Sequence, residues 1–277
     1  MENEWFGQIA KMKVSVDNKN NAIYQLPVGD SMVDMNNLIG RNISMQYSGQ
    51  INCIHCNRKT KKSFSQGYCY VCLTRLAQCD SCIIKPEKCH YAQGTCREPQ
   101  WGEENCLQDH FVYLANTGQI KVGITRHVSQ GVSSRWIDQG ATQAMAIFRV
   151  KERLISGLVE IEIAKHIGDK TNWRMMLKGE PNKLDLVLMQ EKIQGLVKEP
   201  LLAIQNEYGI QAVQALEPNP IEINYPVSMY PVKIKSINLD KEPVFEGVLQ
   251  GIKGQYLLLD GDRVINMRKY TIYLLVK

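Results

Sequence analysis

The chain has 277 residues, of which 44% are hydrophobic and 22% charged, and a formal charge of +5. That size and balance are those of a soluble globular protein with one large or two to three small domains. No stretch reaches the apolar length of a membrane span, and the start, MENEWFGQIAKMKV, has acids and no apolar core, so neither a membrane partner nor a secretory signal is expected. The expected compartment is the cytoplasm, where disulfides are rare and cysteine clusters more often bind metal.

Residues 1–52 read as β-rich, with the runs FGQIAKMKV, AIYQLPVG and NISMQYSGQI. A cysteine-rich region occupies 53–106, followed by a compact α/β core over 108–173. A helical segment spans 174–219. Within it, 183–209 has helical spacing and an expected break at Pro200. Pro218 and Pro220 mark a boundary. Residues 220–277 read as short strands, with turns at Lys253-Gly254 and Asp260-Gly261-Asp262. This second β-rich end is a candidate to pack with 1–52, because chain ends often meet. The fold class is α+β.

Cys53-x2-Cys56, twelve residues, then Cys69-x2-Cys72 is a metal-site spacing. Each knuckle turns two thiolates to one side, and two knuckles supply the four sulfurs of a structural zinc. The intervening RKTKKSFSQGY is the expected ribbon hairpin. A closed site of this kind holds structure and has no open position for hydrolysis. The second set is Cys79, Cys82, Cys89, Cys96 and Cys106, with His90 and His110 nearby. The preferred ligands are Cys79, Cys82, Cys89 and Cys96, with Cys106 as a replacement for one of them. Zinc is the preferred occupant and an iron–sulfur cluster the alternative. The fifth thiol then acts as a small buried hydrophobe, and the two histidines as packing or hydrogen-bonding groups.

Between Cys53 and Arg97 eight basic residues face only Asp80 and Glu87, a local excess larger than that of the whole chain. Arg58, Lys59, Lys61 and Lys62 within it are candidate nucleic-acid contacts. The plainer reading is a solvated charged face.

After the cysteines, Phe111–Ala115 and Gln119–Thr125 read as a hairpin turning at Asn116-Thr117-Gly118. A helix is expected over Ser133–Gln139, ending at Gly140. A strand over Ala144–Val150 follows, then a helix over Lys151–Ile167 with Ile155, Val159, Leu154, Leu158 and Ile161 at core spacing. The order β-β-α-β-α resembles the GIY-YIG nuclease superfamily over roughly residues 108–170. Phe111-Val112-Tyr113 stands at the first triplet and Lys121-Val122-Gly123 at the second, with Arg135 on the first helix and Glu160 on the second. The whole chain, including KPEKCHYAQGTCREPQWGEENC, also looks like an uncharacterised bacterial family in which a cysteine-rich ribbon precedes this module.

The nuclease resemblance implies roles for these residues. Tyr113 helps activate water, Arg135 stabilises the charged transition state, and Glu160 holds a magnesium ion. This chain departs from the pattern at Phe111 and at Lys121, where the second tyrosine would be, so Lys121 is a candidate cation at the phosphate. The gap from Gly123 to Arg135 is long, which makes Arg126 a rival for the arginine role. Ser156 and Gly157, about one turn before Glu160, are expected to leave room around its carboxylate, and Glu162 to pair with His166. Asn172 and Arg174 are candidate phosphate contacts in a closing loop, or parts of a capped loop. Trp136 is a candidate for stacking a base, or the buried face of an amphipathic helix. Tyr113, Arg135 with Asp138, and Glu160 each also have a plain reading as core or surface residues.

The expected function is nucleic-acid binding, DNA or RNA, with magnesium-dependent cleavage of phosphodiester bonds. The alternatives are a non-catalytic zinc-containing nucleic-acid-binding module and a metal-held protein-interaction scaffold.

Overall fold

The computed structural model describes residues 5–275; the first four and last two residues of the two β-rich ends lie outside it. The chain opens with short strands β1 (Gly7–Gln8), β2 (Lys13–Val16), β3 (Ala22–Val28) and β4 (Ser31–Asp34), then the long β5 (Asn42–Asn52). The cysteine-rich region contributes β6 (Lys59–Thr60), α1 (Tyr70–Arg75), single 3-10 turns, and α2 (Pro99–Asn105). The centre is β7 (His110–Asn116), β8 (Ile120–Thr125), α3 (Ser134–Asp138), β9 (Gln143–Val150) and α4 (Arg153–Ala164). Then come α5 (Trp173–Met176), α6 (Leu186–Leu196) and α7 (Lys198–Tyr208), and the short strands β10 (Val213–Ala215), β11 (Ile221–Glu222) and β12 (Lys235–Ser236). The chain closes with β13 (Val244–Lys253), β14 (Tyr256–Leu259), β15 (Arg263–Asn266) and β16 (Tyr273–Leu275). The fold is mixed α+β. Among the described residues no helix is long and apolar enough to cross a membrane.

Three sheets organise these elements. One runs β1-β16-β5-β13-β14-β15-β12, with β6 added on β5. β5 therefore pairs with both β13 and β16, so the two ends of the chain share a sheet. The second runs β10-β9-β7-β8 with β11 also on β9. Both strands that flank Pro218 and Pro220 thus pair with the central sheet, on either side of those prolines. The third is β2-β3-β4.

The central hairpin forms because Asn116 and Gly118 make its turn. Asn116 Oδ1 accepts the Gly118 amide at 3.2 Å, and Gly118 has φ +103°, where a Cβ is disfavoured. Ser133 caps α3 by accepting the Arg135 amide at 3.3 Å. Side chains alternate across the central sheet. Val112, Leu114 and Val122 pack with Ile155, Val159 and Ile163 of α4 in one core. Tyr113 and Ala115 point the other way and pack with Trp136 in the core shared with the long sheet. Burying each of Ile155, Val159 and Ile163 contributes roughly 1.5–3 kcal/mol, which fixes α4 on its face.

The helical segment breaks at Val197, which ends α6, and not at Pro200. Pro200 lies in the first turn of α7, where the missing amide has no intrahelical partner to lose.

Candidate functional site

β7 and β8 pair in a register that puts Tyr113 opposite Gly123 and Ala115 opposite Lys121. Lys121 and Gly123 are two residues apart, so they share the Tyr113 face. The phenol lies over Gly123 so closely that a Cβ there would be 2.5 Å from the Tyr113 hydroxyl. Gly123 is the residue that lets the ring lie flat. Gly123→Ala should push the ring out and destabilise the fold by about 1–3 kcal/mol. Urea denaturation checks this, and an unchanged midpoint would rule the packing out.

Tyr113 is fully buried. Its hydroxyl donates to Gln139 Oε1 at 3.1 Å, and its ring meets Trp136 edge-on with centroids 5.8 Å apart. Burial pushes its pKa up to about 12, although the Arg135 guanidinium and the Gln139 bond act against that. At neutral pH the phenol therefore keeps its proton. Lys121 is also buried. Burial, and then the charge of Arg135, lower its ammonium to about 8, against the pull of Glu160 and Asp169. Burial raises the Glu160 carboxyl above its ordinary range, with Asp169 adding to the rise and Lys121 and Arg135 opposing it.

Tyr113, Lys121, Arg135 and Glu160 therefore share one electrostatic neighbourhood. β8 is an edge strand of this sheet. Gly168, just after α4, bridges to Lys121 there, and its carbonyl accepts the Val122 amide at 2.9 Å. Among the described residues neither Lys121 nor Arg135 has a carboxylate within ion-pair distance. Asp138 pairs with Lys11 and accepts from Gln255 at 2.8 Å, so it is not Arg135's surface partner.

The rival Arg126 is held elsewhere. It donates to Asn105 of α2 and to His127, and its charge is felt at Cys106, His110 and Arg153. Trp136 is 1% exposed, so its ring belongs to the core and offers no face to a base. Arg174 is exposed and lies 4.2 Å over the Trp173 ring, which in turn stacks on Tyr256. Asn172 caps α5 by accepting the Met175 amide. Glu162 pairs with Lys165 at 2.5 Å, not with His166. Gly157 does not open space at Glu160. A Cβ there would collide with the backbone of Pro86 and Glu87, so its small size lets the cysteine-rich region dock on α4.

The sulfurs of Cys53, Cys56, Cys69 and Cys72 all lie within 4.8 Å of one another. Cys53 and Cys56 lie on the turn after β5, where the Asn57 amide donates back to the Cys53 carbonyl at 2.8 Å. Cys69 caps α1 and Cys72 is one turn into it. Cys56 and Cys69 sulfurs are 3.8 Å apart. Four zinc–sulfur bonds of about 2.3 Å in a tetrahedron give sulfurs about 3.8 Å apart. The group is compatible with a structural metal such as zinc. Arg58, Lys59, Lys61 and Lys62 are all exposed on this module, with Lys62 5.4 Å from the Phe64 ring centre.

The second set does not gather as Cys79, Cys82, Cys89 and Cys96. Cys79 packs beside Cys53, Cys69 and Cys72. The group within 4.8 Å is Asp80, Cys82 and His90, and the sequence reading had not placed Asp80 there. Its carboxylate is largely engaged already, by Arg97 at 2.7 Å and the Ser81 amide at 2.5 Å. His110 is buried with Nδ1 against the Gln108 carbonyl at 2.7 Å.

A family model described as a protein of unknown function, DUF2797, matches residues 40–275. The chain belongs to that family. The DUF2797 match takes in the cysteine-rich region, the central sheet and the strands after β11 as one unit, and begins after β4. No curated protein and no solved structure matches the chain.

Proposed function

We propose that this protein binds nucleic acid and cleaves phosphodiester bonds with magnesium, at the β8 edge, through Tyr113, Lys121, Arg135 and Glu160. The β-β-α-β-α order carries the resemblance to the GIY-YIG nucleases. The observation that carries the reading is a buried Lys121 with no carboxylate within ion-pair distance among the described residues, in the electrostatic field of Arg135 and Glu160. Two cations without carboxylate partners among the described residues favour a phosphate, and a desolvated carboxylate favours a hard divalent ion.

The roles follow from the proton affinities. Tyr113, held near 12 and donating to Gln139, is a poor base; it fixes Gln139 and walls the site. Lys121, near 8, is matched to neutral pH and takes the proton of the attacking water in its neutral form. Arg135 stabilises the charge that builds on the phosphate, worth about 10²–10³ in rate for one such donor. Glu160 would hold magnesium, which supplies Lewis-acid stabilisation at the phosphate. Zinc on Cys53, Cys56, Cys69 and Cys72 holds the ribbon. The exposed lysines there supply salt-sensitive backbone contacts.

The test is a gel shift and a magnesium-dependent nicking assay on the full chain and on Glu160→Gln. Glu160→Gln should keep binding and lose cleavage. It should also be more stable at neutral pH without magnesium, because it removes a carboxylate that burial disfavours. For a carboxyl raised on folding, the folded state holds the proton longer, so wild-type stability falls as pH rises through that window. Binding without any magnesium-dependent cut would favour the non-catalytic module, and absence of binding would leave the scaffold.

A further inference from the structure

A cleft of about 420 Å³ lies at the end of the central hairpin away from its Asn116–Gly118 turn. Small-molecule sites run from about 300 to 1,000 Å³. Strand pairing sets its position. Phe111 lies opposite Thr125 of β8 and opposite Arg149 of β9, so the three share one face at this end of the sheet. Phe111 is half-buried and, with Val128, gives the cleft an apolar wall.

The segment 126–129 forms the other wall, and it is tied down at both ends. The Thr125 hydroxyl bonds the Ser133 hydroxyl at 2.8 Å, at the start of α3. The Ser129 and Val132 amides each donate to the other's carbonyl at 2.9 Å, around Gln130 and Gly131, which both have positive φ. Arg126 donates Nη1 to Asn105, and Nε to His127 Nε2 at 3.0 Å. Among the described residues its Nη2 has no hydrogen-bond partner and its guanidinium no carboxylate within ion-pair distance. Because His127 Nε2 accepts, the imidazole proton sits on Nδ1, which is a further donor. Asp109 Oδ2 takes both bonds from Arg149, so Oδ1 remains an acceptor.

These walls offer three kinds of contact. An aromatic ring on an apolar wall suits a flat base. A guanidinium held in place without a carboxylate, with the His127 N–H and the Ser129 hydroxyl in the same cleft, suits the several acceptor oxygens of a phosphate. A carboxylate oxygen left free suits a sugar hydroxyl. Inorganic phosphate would leave the apolar wall and that oxygen unused. We infer that this cleft binds a nucleoside monophosphate, with its phosphate at Arg126 and His127 and its base against Phe111.

The cleft is a site apart from the β8 residues proposed for cleavage. Lys121 and Thr125 are separated by roughly 13 Å of extended strand, and the charges that act on Lys121 are those of Arg135, Glu160 and Asp169. The inference does not rest on the cleavage reading. A free nucleotide and the 5′-phosphorylated end of a strand present the same chemistry, and the test separates them.

The experiment is isothermal titration of the full chain, without magnesium, with AMP, CMP, adenosine and inorganic phosphate, and with a short RNA carrying or lacking a 5′-phosphate. AMP and CMP should saturate one site and bind at least about tenfold more tightly than adenosine or phosphate. Arg126→Gln should weaken them at least about tenfold, the loss of one charge-assisted bond, and His127→Ala about threefold or more. Lys121→Met should bind them as the wild type does. Should Arg126→Gln fail to accumulate, His127→Ala decides, because that side chain is exposed. A 5′-phosphate that tightens the RNA through Arg126 assigns the cleft to a strand end; an RNA indifferent to its 5′-phosphate assigns it to the free nucleotide. Absence of saturable AMP and CMP binding, affinity no better than that of phosphate, unchanged affinity in His127→Ala, or loss of affinity in Lys121→Met overturns the inference.

Discussion

Stripping the ion from Cys53, Cys56, Cys69 and Cys72 is expected to unfold the ribbon. Among the described residues the hydrophobic cluster of this module consists of Cys53, Cys69, Cys72 and Leu76, with Tyr68, Val71 and Cys79 against it. Three of its four buried members belong to the group of sulfurs that would hold the ion. Structural zinc binding by such sites is worth about 10–16 kcal/mol, far above what Leu76 and its neighbours supply. Cys69→Ser should act in the same way, because it removes one of the four converging sulfurs. Proteolysis after chelation should cut first between residues 53 and 79. The central sheet, whose core is made of β7, β8, β9 and α4, should outlast it. Retention of the ribbon in the metal-free chain would show that the four sulfurs converge for packing alone.

The second large effect concerns Lys121. Its ammonium is buried, has no carboxylate partner among the described residues, and is lowered to about 8 from an ordinary 10.5. That difference corresponds to roughly 3 kcal/mol at neutral pH. Lys121→Met keeps most of the unbranched stem and removes the charge, so it should stabilise the protein at pH 7 by about 1–3 kcal/mol. The pH dependence has a definite sign. Below about 8 both folded and unfolded chains hold the proton, and the full cost of burial is present. Between about 8 and 10.5 the unfolded chain holds a proton that the folded chain lacks, so wild-type stability rises with pH. The advantage of Lys121→Met should shrink over that window. Urea denaturation of both proteins at pH 7 and pH 9.5 measures it. Cleavage by Lys121→Met should fall about 10²–10⁴-fold, the usual contribution of a general base. A gain in stability with a loss of activity is the mark of a residue kept for function. A variant less stable at pH 7 would mean that Lys121 is a packing residue.

The sequence reading reached some of these features and missed others for physical reasons. A Cys-x2-Cys knuckle brings two sulfurs together within one local turn, so the first cysteine group was legible from spacing. The later cysteines do not gather as spacing suggested, because which side chains meet there depends on how the single turns and α2 fold back, a tertiary matter; Cys79 packs beside the first group and Cys82 lies with Asp80 and His90. The α+β class and the hairpin turning at Asn116-Thr117-Gly118 followed from strand periodicity and turn chemistry; the register of Tyr113 opposite Gly123 came from the structure. The amphipathic pattern of α3 left open which way Trp136 faces, and the structure buries it. Gly157 was legible as small but not as the contact point for Pro86 and Glu87, because its partner is some seventy positions away. Lys121 was legible as a candidate cation at the phosphate, but not as buried. Only its place on β8 beside Gly168 shows that it is buried.

The most direct measurement is single-turnover nicking, with saturating magnesium, by the wild type, Lys121→Met, Glu160→Gln and the double variant. Residues that serve one phosphate act as a unit, so their losses do not multiply. Each single variant should lose at least about 10²-fold, and the double variant should be no slower than the slower single. Wild-type rates in both single variants, or losses that multiply in the double, would contradict a common site for the two side chains.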